Sequence, residues 1–260
     1  MQVWILTFNR PKVLNRQISY FGQRGYDVCV FSNHPEVHVD EDNNKYIKQI
    51  VINTLSDKES NSYCARSWNN IFIKCFKTED EAIFVQDDTA ISGDVKPFID
   101  SNRDKYDLIW CPAGDTFFYM KKSVLAKVGW FDERYLGCYC GDADFLKRCF
   151  MNYDKTRLSV NDSHDWGFAM NDIGIRSCFS SNRQDRELDT TYINQHHEIE
   201  GIVGVHTNSI LDHSTNHFKA KWGTPGNGIN GIGSMLLYLN PPLFPEIDWY
   251  PWFTKRYLKS

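Results

Sequence analysis

Four short apolar runs, "VWILTF" (3–8), "YDVCVFSN" (26–33), "IKQIVINT" (47–54) and "EAIFVQDD" (81–88), recur along the first third of the chain. Helical periodicity fills two of the gaps between them: Val13, Leu14, Ile18 and Phe21 share one face, and Trp68, Ile71, Phe72 and Phe76 share another. Strands alternating with helices in this way predict an α/β fold, a mostly parallel sheet flanked by helices on both faces. In such sheets ligands bind beyond the carboxyl ends of the strands, where loops converge and helix N-termini point at the ligand. Three polar clusters fall at those ends: Thr7 to Arg10, Ser32 to His34, and Asp87 with Asp88.

From Asp107 the pattern changes. "DLIWCPAGDTFFYMKKSVLAKVGWFDERYLGCYCGDADFLKRC" reads as a strand, a turn at Pro112 to Asp115, a second strand, a short helix from Lys121, a loop and a helix from about Asp142. Beyond residue 200 Gly, Asn and Pro mix with isolated aromatics, which predicts loops wrapped on the core. The 260 residues are taken as a single domain. Residues 1–105 and 106–220 are expected to form its two halves, and 221–260 a loop-rich C-terminal extension packed on the core.

The charge balance narrows the partners. A formal net charge of -4 gives no basic face for neutralising phosphates, so nucleic acid is not an expected partner. Aromatic residues make up 15% of the chain and serve either a sugar site or, more often, the core. The eight cysteines lack the paired CxxC spacing of a zinc site. With no leader-like segment before "MQVWILTFN" and no apolar run near twenty residues, the expected setting is cytoplasmic, with free thiols and no transmembrane segment. The tail "WYPWFTKRYLKS" carries aromatics beside Lys255, Arg256 and Lys259, a composition suited at most to weak membrane-surface contact.

The acids at the end of "EAIFVQDD" need an explanation. Two carboxylates closing a buried strand repel one another and lose hydration unless a cation or donors compensate. A divalent metal with oxygen ligands is the simplest compensation. In the alternative Asp88 caps a turn and Asp87 faces water. In "GDADFLKRC", Asp142 and Asp144 sit at a predicted helix start, where the macrodipole favours negative charge. Asp144 and Arg148 are spaced for an ordinary ion pair, whereas Asp142 has no basic residue four positions on and is the candidate general base.

In order and at roughly the family's spacing, "VWILTFNRP", "YCARSWN", "FVQDDTAIS", "GWFDERY" and "YCGDADFLKRC" resemble the GT-A (Rossmann-like) glycosyltransferases that use nucleotide sugars, in particular the inverting family two. "FKAKWGTPGN" resembles a lysine-tryptophan-glycine segment of some members. The resemblance implies a metal-dependent enzyme moving a sugar from a UDP- or GDP-sugar to a hydroxyl of a glycan or glycoconjugate acceptor. It implies that Thr7, Asn9 and Arg10 lie against the nucleotide, that Asn33 takes the place of a base-contacting Asp, and that Arg66 reaches the base or a phosphate. Asp88 would coordinate Mn²⁺ or Mg²⁺, with Asp87 beside the ribose or sharing the metal, and His206 could complete the shell, ahead of His213 and His217. Asp142 would deprotonate the acceptor hydroxyl, and Trp130, Asp144, His164 and Trp166 are the acceptor-site candidates. Two positions depart from the pattern: Gln86 stands first in the acidic triplet, and Gly141 precedes Asp142 in place of Glu. A retaining transferase, or a glycan-binding scaffold on the same fold, stays open beside the inverting enzyme.

Overall fold

The computed structural model describes residues 1–7, 10–53, 64–87, 89–91, 93–110, 117–135, 140–160, 175–177 and 207–222. The first three predicted strands, β1 (Gln2–Thr7), β2 (Asp27–Ser32) and β3 (Ile47–Ile52), lie side by side and parallel, as does β4 (Glu81–Gln86) on the far side of β1. Thr7 is level with Ser32, and Leu6 with Gln86, so the polar clusters at the strand ends share one edge.

The sheet continues through β6 (Leu108–Trp110), β7 (Phe117–Lys121) and β8 (Leu158–Val160), in the order β3-β2-β1-β4-β7-β6-β8. β7 is antiparallel to both β4 and β6, and β8 returns parallel to β6. The result is a mixed, mostly parallel α/β sheet of Rossmann-like form. A small antiparallel pair, β5 (Thr89–Ile91) with β9 (Ile175–Ser177), stands apart from it.

Strand alternation sorts the core into two layers. Val3, Ile5, Val28, Val30, Ile83 and Val85 meet helices α1 (Pro11–Gly22) and α3 (Val95–Asn102). Trp4, Leu6, Cys29, Phe31 and Phe84 face the opposite layer, built from α2 (Cys64–Cys75), α4 (Lys122–Val128) and α5 (Gly141–Asn152). Each fully buried Phe or Leu there contributes about 1.5–3 kcal/mol by leaving water. The described aromatics serve mainly this core: Trp110 stacks on Phe118 at 4.5 Å between ring centres, and Phe131 on Phe145 at 4.6 Å.

Local signals explain the helix limits. Pro11 opens α1, where a missing N–H costs nothing, and Gly25 at φ 77° turns the chain into β2. Asp94 caps α3 by accepting from the Lys96 amide at 3.1 Å. Gly22 lets the 3₁₀ turn Glu41–Tyr46 settle on α1, since a Cβ there would overlap Cβ and Cγ of Tyr46. Gly22→Ala is therefore expected to lose about 1–3 kcal/mol by overpacking, read from urea midpoints at unchanged slope. Wild-type stability in that variant would refute the close approach.

One expectation fails in the tail. Residues Thr207–Trp222 form a helix, α6, where the Asn- and Gly-rich composition suggested loops. Phe218 and Trp222 are spaced four apart and buried, which is the helical signal that composition concealed. The division expected at 220/221 falls inside α6. Among the described residues no helix is long and apolar enough to cross a membrane. The tail "WYPWFTKRYLKS" lies outside the described residues.

Candidate functional site

The carboxyl edge of β1, β2 and β4 collects the first half of the candidate site. The Asp87 amide donates to the Leu6 carbonyl at 2.9 Å, which continues the β1–β4 register one step past β4 and leaves the Asp87 side chain fully buried. Thr7 Oγ1 donates to Asp87 Oδ2 at 2.5 Å, and Arg10 Nη2 lies 2.7 Å from Asp87 Oδ1. Gln17 on α1 donates to the Thr89 carbonyl, so α1 also grips the chain just past the acidic pair.

This arrangement corrects one expectation for Asp87. It does not face water: one oxygen lies against a guanidinium and the other accepts from a hydroxyl. The cation that a buried carboxylate requires is Arg10, distant in sequence and brought close by strand pairing. Asp87 instead anchors the first loop, Thr7 to Arg10. Asp88, Asn9 and His206 lie outside the described residues, as do His164 and Trp166. Among the described residues no group of three His, Cys, Asp or Glu is disposed to hold a metal ion.

The first turn of α2 joins the parts of the site. Cys64 Sγ accepts from Gln86 Nε2 at 3.5 Å. Ala65 lies 3.8 Å from the position a Cβ would take on Gly141, at the start of α5. Arg66 Nε is 3.6 Å from Glu133 Oε2, in the segment after α4. Ser67 Oγ is 2.8 Å from Asn33 Nδ2, past the end of β2, and Asn33 Oδ1 also accepts from Asn53 Nδ2 at 3.1 Å. Four consecutive residues thus touch β4, α5, the loop after α4 and the loop after β2. Sequence reading named Arg66 and Asn33 here; Cys64 and Ser67 fall inside the quoted "YCARSWN" without a role assigned to them, and Gln17 belongs to no motif, since all three act through contacts distant in sequence.

Asp142 stands in the first turn of α5, partly exposed. The helix is preceded by Cys140 at φ 64°, a left-handed conformation that costs a non-glycine residue energy and turns the chain sharply into α5. Burial first, and then the nearby Asp142 charge, push the Cys140 thiol up to about 12, so it stays protonated and unreactive at neutral pH. Gly141 has ordinary van der Waals room, so the absence of Glu at this position is not enforced by crowding of a Cβ.

Asp144 behaves differently from its expected acceptor-binding role. It is fully buried, with Oδ2 accepting from Arg148 Nε at 2.9 Å. Its Oδ1 lies 2.6 Å from Lys221 Nζ and accepts from Trp222 Nε1 at 2.8 Å. Arg148 also donates to the carbonyls of Val128 and Trp130 at 2.8 and 2.7 Å. Lys221 reaches a second buried acid, Asp132, at 3.2 Å, where Arg134 Nη2 (2.7 Å) and His217 Nε2 (3.3 Å) also meet it. Burial alone would raise both carboxyls, but Lys221 and Arg148 around Asp144, and His217, Arg134 and Lys221 around Asp132, hold them well below the usual carboxylate range. Trp130 packs against the core, with its ring 6.4 Å from Phe72, and His213 is exposed on α6.

No family model matches the chain, and no curated protein matches it. Among solved structures, HddC from Yersinia pseudotuberculosis overlaps 47% of this chain and 77% of its own, at 13% identity and a TM-score of 0.32. The galactosyltransferase LgtC, solved in complex with donor and acceptor sugar analogs, overlaps 53% of this chain and 55% of its own, at 10% identity and a TM-score of 0.27. The match therefore spans little more than half the length of LgtC. Neither overlap decides the chemistry, which is read from the site's own residues.

Proposed function

We propose that the chain is a glycosyltransferase that moves a sugar from a nucleotide-diphosphate donor to a hydroxyl of a glycan acceptor. The observation that supports this most is the convergence, around the first turn of α2, of the loop anchored by Asp87 and the helix start carrying Asp142. A first loop set to face a nucleotide and a partly exposed carboxylate at a helix start suit attack of a bound hydroxyl on an anomeric carbon.

In this reading Thr7 and Arg10, fixed by Asp87, present the first loop to the nucleotide. Asn33 and Ser67 border the base, and Arg66 turns from Glu133 toward the diphosphate to offset charge growing on the leaving group. Asp142 takes the acceptor proton as the hydroxyl oxygen attacks, which inverts the anomeric centre. Mn²⁺ or Mg²⁺ would be held by Asp88, with Asp87 and His206 as the further candidates, and would supply positive charge to the leaving diphosphate. A glycan-binding protein without turnover is the second reading, favoured by Gln86 and Gly141 where the family pattern has acids.

Calorimetric titration with UDP and GDP, with and without Mn²⁺, combined with a screen of nucleotide sugars for slow donor hydrolysis, tests the proposal. One nucleotide is expected to bind and one donor to be hydrolysed. Nucleotide binding with no turnover on any donor or acceptor would remove the catalytic reading, and failure of every nucleotide to bind, with or without Mn²⁺, would favour the glycan-binding scaffold.

A further inference from the structure

The described end of α6 places a lysine, fully buried, between two buried acids next to the turn that carries Asp142. Lys221 touches Asp144 at 2.6 Å and Asp132 at 3.2 Å, and Trp222 adds its indole N–H to the same Asp144 oxygen. Asp144 is two residues beyond Asp142 in α5, and two helical steps rotate a side chain by about 200°. Pinning Asp144 inward thereby turns Asp142 outward. Arg148 completes the clamp, because the guanidinium that holds Asp144 also holds the carbonyls of Val128 and Trp130.

We infer that Lys221, with Trp222, is a positioning residue for Asp142: α6 sets the roll of the first turn of α5 and so the direction of the base. This rests on the transferase reading and extends it to a helix whose residues need not touch donor or acceptor. Burying a lysine to hold a fold would be served as well by apolar side chains, since a buried ion pair is rarely more stabilising than a hydrophobic replacement. A directional ion pair and an indole N–H on one carboxylate add a rotational constraint on this turn beyond its apolar packing. Lys147, also buried, lies with its ammonium 4.9 Å from the centre of the Trp222 ring and so seats the indole from the α5 side.

The test measures kcat, donor KM and nucleotide affinity for Lys221→Met and Trp222→Phe, each alone and combined with Asp142→Asn. Lys221→Met is expected to lower kcat at least tenfold, and Trp222→Phe severalfold, with donor KM and nucleotide affinity within twofold of wild type. In the Asp142→Asn background neither change should lower kcat further, because the group they aim is gone. Trp222→Phe keeps the ring and carries the test if Lys221→Met fails to fold. Unaltered kcat in a folded variant, equal losses in kcat and nucleotide affinity, or full additivity with Asp142→Asn would each overturn the inference while leaving the transferase reading intact. Absence of wild-type turnover would overturn that reading and this inference with it.

Discussion

Asp142→Asn is expected to lower sugar transfer by about 10²–10⁴ at saturating donor and acceptor, the range a positioned general base contributes. Nucleotide affinity should stay within about twofold, because the groups proposed to face the donor, Thr7, Arg10 and Asn33, are held by Asp87, Ser67 and Asn53 rather than by α5. The substitution is nearly isosteric and lies on a partly exposed first turn, so unfolding midpoints should move little. Steady-state kinetics at several pH values would give the answer. Turnover at the wild-type level would remove Asp142 from the mechanism. A parallel loss of nucleotide binding would instead assign it to the donor site. The anomeric configuration of the product separates inversion from retention independently of any variant.

The frame of the molecule was legible because each parallel strand is a short apolar run and each covering helix shows its own stripe. Val3 and Ile5 face one layer and Trp4 and Leu6 the other, so burial on both sides leaves a continuous apolar run in the sequence. What periodicity could not supply was order across the sheet. β7 lies between β4 and β6, and no local pattern says which strand of a hairpin will face inward. α6 was hidden for a related reason: Asn, His, Ser and Thr dilute its stripe, and its stability comes from Phe218, Lys221 and Trp222 meeting partners elsewhere.

The acids divide along the same line. "QDD" showed that a buried carboxylate needed compensation, and a metal was the expectation, since no basic residue stood nearby in the chain. Parallel pairing of β1 with β4 brings Arg10 to within 2.7 Å of Asp87, a cation that no local spacing announced. Spacing likewise gave Asp144 its Arg148 partner, an i,i+4 relation within one helix. It could not give Lys221, which reaches the same carboxylate from α6. Motif spacing thus marks which acids require partners, and the tertiary fold decides which partners they take.

Asp144→Asn is expected to cost about 3–5 kcal/mol of folding stability, because it removes one member of a buried pair, leaving Arg148 with carbonyls alone and Lys221 with Asp132 alone. Three solvent-excluded groups depend on this one carboxylate, whereas an exposed surface pair is worth at most about 1 kcal/mol, so the measurement separates the two cases clearly. The pH dependence has a defined sign. The folded-state carboxyl lies below its unfolded value, so its contribution is complete above the unfolded range near pH 4 and is lost as pH falls below it. Wild-type stability should therefore drop more steeply below pH 4 than that of Asp144→Asn, and the two curves should run parallel from pH 5 to 7. Urea titrations at pH 3, 5 and 7 would measure this. A loss under about 1 kcal/mol at pH 7, or identical slopes below pH 4, would show that Asp144 carries no such charge in the fold. Asp144→Leu combined with Lys221→Met and Arg148→Met should recover part of the loss, since apolar groups of similar length leave no charge stranded. Recovered stability with transfer still impaired would separate what the network does for the fold from what it does for Asp142.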